Sequence, residues 1–297
     1  MSQQSDESEK IALLSRIADA LDRLAPIDQF PDSLEQAEGY FWQAASRQLQ
    51  PIAAIQRLPL DCLCGIEPQK QLLLDNSRAF ARGRRANNAL LWGARGTGKS
   101  SLLKAVHGQL LAEGLDCAII EIAREDIADL PLLMEHLSKT PRRFIIFCDD
   151  LAFEEADSSY KSLKAALEGG LAGRPDNIVF YATSNRRHLM PRQMIENERG
   201  TAINPSEAAE EKISLSDRFG LWIGFHSVDQ DSYLEMIKTY IAHFGLPVSF
   251  EEVRADALAW AMGRGNRSGR TAFHFILDLA ARLDVDLPHA TGEAGGA

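Results

Sequence analysis

The residues whose types and spacing could do chemistry begin at positions 93–100, where the chain reads Gly-Ala-Arg-Gly-Thr-Gly-Lys-Ser. This octapeptide fits G-x-x-x-x-G-K-[ST], and it lies between a short apolar run and a helical pattern, as that motif requires. Its glycines let backbone N–H groups converge on phosphate oxygens, and the N-terminus of the next helix adds a positive dipole. The octapeptide predicts a polyphosphate-binding loop rather than a glycine turn that merely precedes a buried helix.

Individual side chains of this loop have separate expected roles. Lys99 should reach the β- and γ-phosphates, and the Ser100 hydroxyl should ligate Mg²⁺, because hard divalent cations prefer oxygen ligands. The other nucleotide contacts are expected from the remaining loop residues and the residue after it, namely Gly93, Ala94, Arg95, Gly96, Thr97, Gly98 and Ser101.

Two carboxylates follow the apolar run at residues 144–148. Asp149 is expected to hold Mg²⁺ directly or through water, and Asp150 to orient and help deprotonate an attacking water. An acidic pair at the end of a strand is also a common helix cap. Its position downstream of a phosphate loop favours the catalytic interpretation.

A further apolar run, residues 178–182, leads into Thr183, Ser184 and Asn185. An amide both donates and accepts hydrogen bonds, so Asn185 could lie between a γ-phosphate and the attacking water. These three residue types also favour turns and caps. Taken alone, this run is better explained by turn chemistry.

Strands and helices that alternate from residue 88 onward must position these side chains. Short apolar runs separated by amphipathic helices are typical of βα units around a parallel sheet. We therefore predict an α/β fold with a five-stranded parallel sheet. The predicted strands are 89–92, 117–122, 144–148, 178–182 and 221–225, and the predicted helices between them include 99–111 and 158–167.

The sequence before the sheet is predicted to be helical. Apolar residues recur at helix spacing between Ile11 and Leu24, and a second pattern surrounds residues 40–42 and Leu49. Residues 1–60 are therefore expected to form an N-terminal helical segment.

The sequence after the sheet is predicted to form a small all-helical lid domain at residues 228–285, which leaves 61–227 as the nucleotide-binding α/β domain. The predicted helices of the lid are 232–244, 250–262 and 269–283. Residues 286–297 have nothing to bury, and we expect them to form a disordered tail.

Composition excludes few functions. With 45% hydrophobic and 25% charged residues, the chain has the make-up of a globular protein, and no apolar run approaches the roughly 18 residues of a membrane span. The polar, acidic start is unlike a secretory signal, so we expect a cytoplasmic protein. The net charge of −10 gives no global attraction to nucleic acid. The four cysteines are expected to be reduced thiols, because no second ligand pair is spaced for zinc.

Together these motifs resemble those of the AAA+ ATPases. In that family's terms, Lys99 lies in Walker A, Asp149 and Asp150 lie in Walker B, and Asn185 resembles sensor 1. Arg218 resembles the arginine finger that such proteins place in the active site of a neighbouring subunit. A surface ion pair of Arg218 with a nearby acidic residue, Asp217 or Glu211, is the alternative.

The same resemblance extends to both flanks of the site. Residues 265–273 resemble the start of a sensor 2 helix, which implies that Arg270 contacts the γ-phosphate, with Arg267 as the alternative. Residues 63–70 resemble the segment that folds over adenine, so Ile66 either packs on the base or belongs to a simple hydrophobic turn. The charged segment 191–211 is longer than a connection needs, which fits either a partner contact or a plain surface insertion.

The phrases at 87–100, 148–151, 181–190 and 211–220 look more closely like the bacterial DUF815 family of predicted ATPases. The resemblance spans about residues 63–283. It implies ATP and Mg²⁺ as cofactors and a homo-oligomer with an arginine finger acting in trans.

Two functions follow from the resemblance. The first is an oligomeric ATPase that remodels or loads a macromolecular partner, either protein or nucleic acid. The second is a nucleotide-dependent binding module or scaffold with negligible hydrolysis. Asp150 is one methylene shorter than the Glu that many AAA+ proteins carry there, which predicts slow turnover, and Glu154 and Glu155 are alternative bases. A P-loop kinase or GTPase is disfavoured. The guanine-reading Asn-Lys-x-Asp motif is absent from the sequence, and a small-molecule kinase does not need the helical C-terminal domain with Arg218.

Overall fold

A computed structural model of the chain describes residues 13–17, 34, 37–153, 159–169, 173–187, 189, 215 and 217–287. The strands are β1 Gly39–Gln43, β2 Gln48–Pro51, β3 Ala89–Gly93, β4 Ala118–Glu121, β5 Phe144–Cys148, β6 Ile178–Ser184 and β7 Leu221–Phe225. The α-helices are α1 Glu67–Ala81, α2 Lys99–Ala112, α3 Leu130–Ser138, α4 Ser159–Glu168, α5 Gln230–His243, α6 Phe250–Gly263 and α7 Gly269–Arg282, and 3₁₀ helices span Leu60–Cys62 and Arg124–Asp129.

All seven strands form one sheet in the order β2-β1-β4-β5-β6-β3-β7. Only the β1–β2 pair is antiparallel within this sheet, and every other neighbouring pair is parallel. Parallel strands present their carboxyl ends at the same edge. The residues that follow β3, β5 and β6 therefore meet at one place, as binding sites in α/β sheets require.

The central strands are continuous apolar runs because both faces of the sheet are covered. Ile146 of β5 packs into the hydrophobic cluster on one face, and its neighbour Ile145 packs into the cluster on the other face. Every residue of β5 and β6 is buried. Runs buried on both faces are typical of parallel sheets, and the α/β prediction is confirmed.

The expectation of a five-stranded sheet is wrong, because the sheet has seven strands. The two extra strands, β1 and β2, lie in the segment that was predicted to be helical. Tyr40 and Trp42 are buried and Phe41 between them is partly exposed, which is the two-residue alternation of a strand. Three consecutive aromatic residues fit a helical pattern as well, but their β propensity and the pairing of β1 with β4 decide the outcome.

Only a short part of the predicted N-terminal helix belongs to the described residues. Residues 13–17 are helical, and the side chains of Leu13, Leu14 and Ile17 are each about half exposed or more. The predicted charged insertion at 191–211 and most of the predicted tail lie outside the described residues.

The three C-terminal helices pack around a hydrophobic cluster of their own. Each begins at a polar cap that satisfies free backbone N–H groups. Asp229 accepts a hydrogen bond from the Ser232 amide, Ser249 forms a capping box with Glu252, and Ser268 accepts from the Thr271 amide. The observed helices differ from the predicted ones by at most two residues at either end.

Two further sequence expectations can be compared with the described part of the chain. No helix there is long and apolar enough to cross a membrane. All four cysteines are free, and three of them are buried. Burial raises the pKa of the Cys62 thiol to about 11 and that of Cys117 to about 12, which keeps both thiols protonated at neutral pH.

Candidate nucleotide-binding site

A cavity of about 700 Å³ lies at the carboxyl edge of the sheet, between the loop after β3 and the C-terminal helices. The loop residues from Arg95 to Ser101 line it, and so do Asp149, Asp150 and Asn185. Residues from three separate strands thus share one wall. A cleft of this size at the ends of parallel strands is the usual place for a ligand in an α/β fold.

The loop at 93–100 follows a path that requires glycine. Gly93 has φ +145°, and a Cβ atom there would lie 2.1 Å from the carbonyl oxygen of Phe225. Gly98 has φ +93° and caps the N-terminus of α2. The Thr97 hydroxyl donates to the Ala94 carbonyl at 2.8 Å and closes the turn. The result is a tight loop that leads directly into the positive end of a helix dipole.

Lys99 extends from the first turn of α2 back across this loop. Its Nζ donates to the carbonyl oxygens of Gly93 at 2.9 Å and Ala94 at 2.8 Å, and to Oδ1 of Asn185 at 3.2 Å. Burial lowers the pKa of the Lys99 ammonium, and the nearby carboxylates of Asp149 and Asp150 oppose that shift. A buried cation held by loop carbonyls and an amide is well placed to take phosphate oxygens as partners.

Ser100 and Asp149 are brought together where a metal ion is expected. The Ser100 hydroxyl donates to Oδ1 of Asp149 at 2.7 Å. Hydroxyl and carboxylate oxygens are ligands that suit Mg²⁺, which keeps several waters and takes few protein ligands. In the described part of the chain, no group of three or more His, Cys, Asp or Glu residues could hold a metal ion by itself. With two protein oxygens here, Mg²⁺ would take its other ligands from phosphate and water.

Asp150 and Asn185 face each other across the ends of β5 and β6. Asn185 Nδ2 donates to Oδ1 of Asp150 at 2.5 Å, and Nη2 of Arg95 lies 3.9 Å from Oδ2 of Asp150. Asp150 adopts a left-handed backbone conformation with φ +51°, which Asp tolerates better than most residues. This turn aims the carboxylate at the cavity.

Thr183 forms hydrogen bonds to both aspartates and fixes their relative positions, a role that was not predicted from the sequence. Its hydroxyl donates to Oδ1 of Asp149 and accepts from the Asp150 amide at 2.9 Å. The side chain is 1% exposed. The available signal was a hydroxyl at the end of an otherwise apolar strand.

The start of α7 reaches the loop at 93–100. The Arg270 amide donates to the Gly96 carbonyl at 3.4 Å, and Arg270 lines the cavity together with Ile66. Arg267 lines a second cavity of about 550 Å³, which Ala94, Arg95 and Thr97 of the loop also border, and its Nη2 lies 3.4 Å from Oε1 of Gln230. Of the two arginines considered for sensor 2, Arg270 is the one that shares a cavity with Lys99, Ser100 and Asp149.

Comparison with known proteins places the chain in a family. The model of the family described as "Protein of unknown function (DUF815)" matches residues 35–283. The chain belongs to the DUF815 family. No curated protein matches its sequence.

The DUF815 chain also has solved structural neighbours. The Aeropyrum pernix Orc1 protein, solved in complex with DNA, is 16% identical with a TM-score of 0.54, over 80% of this chain and 65% of that one. The Thermotoga maritima RuvB Holliday junction branch migration motor is 18% identical with a TM-score of 0.48, over 78% of this chain and 68% of that one. The Orc1 likeness shows that the two chains share a fold, and the family match confirms the resemblance to DUF815.

One residue that the resemblance assigns to the site does not line the cavity. Arg218 Nη2 forms an ion pair with Oε1 of Glu168, at the end of α4, at 2.7 Å. This partner is neither of the two acidic residues considered from the sequence. The alternative bases, Glu154 and Glu155, lie outside the described residues.

Proposed function

We propose that this DUF815 protein binds ATP with Mg²⁺ and hydrolyses the terminal phosphoanhydride bond. One observation carries the proposal, which is the convergence of five polar side chains on one cavity wall. They are Lys99, Ser100, Asp149, Asp150 and Asn185.

Each side chain has a role that its contacts support. Lys99 exchanges its carbonyl partners for phosphate oxygens and neutralises their charge. Ser100 and Asp149 would hold Mg²⁺, which would supply positive charge to offset that of the phosphates. Asp150 accepts hydrogen bonds and protons, and Asn185 both donates and accepts. The two side chains are 2.5 Å apart, so a water molecule bound beside them can be oriented toward a phosphorus atom.

Hydrolysis is expected to be slow. The Asp150 carboxylate is short, and its two oxygens already face Asn185 and Arg95. An attacking water must compete with these two partners for the carboxylate oxygens. The same observation favours the second candidate function, a nucleotide-dependent binding module with negligible hydrolysis.

Phosphate release separates the two candidates. Wild type, Asp150→Asn and Lys99→Ala proteins are compared with Mg²⁺ and with a chelator, and ATP binding is measured in parallel. If the protein is a hydrolase, phosphate is released only by the wild type and only in the presence of Mg²⁺, while Asp150→Asn still binds ATP. A binding module gives equal background release from all three proteins, with ATP bound by wild type and Asp150→Asn. ATP binding by Lys99→Ala at wild-type strength contradicts both.

The C-terminal helices act as a lid in this proposal. Arg270 contacts the γ-phosphate, and Ile66 packs on the adenine. The contact between the Arg270 amide and the Gly96 carbonyl supports a lid that responds to the nucleotide in the loop. If Arg270 exchanged that contact for a contact to phosphate, the position of α7 would depend on whether the γ-phosphate is present.

Arg218 acts in trans within a homo-oligomer in this proposal. Arg218 is 40% exposed and does not line the cavity of its own chain, which supports a role at a neighbour's site once the side chain leaves Glu168. A mixture of Arg218→Ala and Lys99→Ala proteins is expected to recover activity, since each variant supplies what the other lacks. Activity per subunit that is independent of concentration in a strict monomer excludes the trans role.

The energy of hydrolysis would serve to remodel or load a macromolecular partner, either protein or nucleic acid. Asp150→Asn protein trapped with ATP should retain this partner. Recovery of nothing above a Lys99→Ala control contradicts the remodelling role and leaves ATP hydrolysis to be judged by phosphate release.

A further inference from the structure

One end of the nucleotide cavity is mostly apolar. Its wall there is formed by the turn before α1 and by helices α5 and α7, through Cys64, Ile66, Met236, Tyr240 and Phe273. Ligand pockets are lined mainly by side chains of this kind, with a few polar groups that fix the orientation of the ligand. Among these five side chains, only Tyr240 carries a hydroxyl. This end of the cavity suits a flat aromatic base better than it suits phosphate.

This apolar end lies directly beside the loop that follows β3. The Cδ1 atom of Ile66 would be 3.9 Å from a Cβ atom at Gly98. On the other side, the Arg270 amide contacts the Gly96 carbonyl at 3.4 Å, and Phe273 follows Arg270 by about one turn of α7. A nucleotide whose phosphates occupy the loop can therefore extend its base between Ile66 and Phe273.

Tyr240 reaches from one wall of this apolar end to the other. Its ring centroid lies 6.1 Å from that of Phe273, in an edge-to-face arrangement. Burial raises the pKa of the Tyr240 phenol, and the nearby thiols of Cys62 and Cys64 add to the shift. Both thiols line the cavity as well. The phenolic oxygen therefore lies on the side of Cys64, which precedes Ile66 by two residues.

The Tyr240 hydroxyl has no hydrogen-bond partner among the residues that the structure describes, although Tyr240 is only 3% exposed. Other buried tyrosines have such partners. Tyr233 donates to the Ala257 carbonyl at 3.1 Å, and the Tyr181 hydroxyl accepts from Asn76 Nδ2 at 2.9 Å. A buried hydroxyl left unpaired is costly. The Tyr240 oxygen is not fully enclosed and it borders the cavity, so a bound ligand can supply the missing partner.

We propose that Tyr240 recognises the base of the nucleotide, with its hydroxyl donating a hydrogen bond to a ring nitrogen of adenine. The inference rests on the proposed function, since it takes the ligand to be ATP. The ring nitrogens N1, N3 and N7 of adenine accept hydrogen bonds, and the hydroxyl hydrogen can rotate toward one of them. A site that forms such a bond discriminates against analogues that lack the acceptor. Tyr240 is then a specificity-determining residue, and it belongs to the C-terminal helices rather than to the sheet that carries the loop.

Tyr240→Phe tests the hydroxyl, because it keeps the ring and removes only the oxygen. Its affinity for Mg·ATP, measured by calorimetry, is expected to be about 5- to 20-fold lower than that of wild type, since the adenine nitrogen loses its donor. An ATP affinity equal to that of wild type overturns the inference and leaves the proposed function intact. No ATP binding by wild type overturns the proposed function itself.

ATP analogues that carry carbon in place of N1, N3 or N7 show whether the hydroxyl contacts the base. Wild type should bind one of these analogues about 5- to 20-fold more weakly than ATP. Tyr240→Phe should bind that analogue and ATP about equally, because either change alone removes the same hydrogen bond. If Tyr240→Phe weakens the binding of ATP and of all three analogues by the same factor, its effect does not come from the base, and the inference is overturned. Wild type that binds all three analogues as tightly as ATP overturns it without any variant.

Tyr233→Phe is the matched control. Tyr233 is a buried tyrosine of the same helix, and it does not line the cavity. The ATP affinity of this variant should stay within about twofold of wild type. Without nucleotide its urea midpoint should fall, because the Ala257 carbonyl loses its donor, whereas that of Tyr240→Phe should not fall. An equal fall in both variants assigns the Tyr240 hydroxyl a structural role and overturns the inference.

Discussion

Thr183 offers the sharpest test of how the candidate site is organised. Its hydroxyl bonds both to the Asp149 carboxylate and to the Asp150 amide, and it is buried at the end of β6. Thr183→Val keeps the shape of the side chain and removes both hydrogen bonds. Thr183→Ser keeps the hydroxyl and removes only a methyl group. The two substitutions separate hydrogen bonding from packing at one position.

The expected magnitudes follow from these contacts. Thr183→Val removes one donor to a charged carboxylate and leaves the Asp150 amide with only its 3.2 Å contact to Oδ1 of Asp149. The free energy of unfolding should fall by about 2–4 kcal/mol. Phosphate release should fall about 10- to 100-fold, because groups that orient metal ligands typically contribute that much. Thr183→Ser should lose about 1 kcal/mol of stability and little activity.

The assay is phosphate release at saturating ATP, with urea unfolding of the same samples. The prediction is that activity follows the hydroxyl and not the methyl group. Equal activity in Thr183→Val and wild type, or equal losses in the Val and Ser variants, would refute the orienting role of Thr183.

Three further predictions concern other parts of the molecule. Burial lowers the pKa of His107 to about 4 from its ordinary 6.5. Between pH 6.5 and pH 4 the unfolded chain therefore binds a proton that the folded protein does not, and the free energy of unfolding falls by about 3 kcal/mol over that range. Urea unfolding at pH 7 and pH 5 should show a smaller loss for His107→Gln, and an equal loss would contradict the assignment. Arg270→Ala should weaken ATP binding about tenfold or more in calorimetry, and Arg267→Ala less than twofold; the reverse order would favour Arg267 as sensor 2. Gly93→Ala should lower the free energy of unfolding in urea by more than about 2 kcal/mol, because the new Cβ atom would meet backbone atoms. Gly114→Ala, where φ is also positive but nothing lies within 4 Å, should lower it by about 1 kcal/mol. Equal losses would argue against the close approach at Gly93.

Much of the sheet and the residues at its carboxyl edge could be predicted from the sequence. The strands β3 to β7 are continuous apolar runs, and the residues that follow three of them carry the polar groups. Lys99, Asp149 and Asn185 could be grouped from their positions along the chain, because parallel strands end at a common edge. The spacing of the motifs along the chain was therefore enough to predict that these side chains lie together.

The hairpin β1–β2 could not be predicted in the same way. β1 pairs with β4, about eighty residues downstream, and that pairing decides its conformation. The local pattern around Trp42 fits a helix as well as a strand, and the pairing with β4 adds to the β propensity of the aromatic residues in deciding between them.

The supporting residues could not be predicted for a related reason. Thr183 contacts Asp149 across a separation of 34 residues. The pair forms no motif, because its role arises from where β5 and β6 bring the two side chains. Such positioning residues become visible only when distances are known.

Binding of Mg·ATP to wild type and Lys99→Ala, measured by calorimetry, tests the central claim most directly. Both candidate functions require a triphosphate at the loop, held by a buried lysine that is 7% exposed. The prediction is saturable binding by wild type and an affinity about 100-fold lower or more for Lys99→Ala, since a buried cation that contacts phosphate is lost. Equal affinities in the two proteins, or no binding by wild type, would contradict the assignment of this cavity as a nucleotide site.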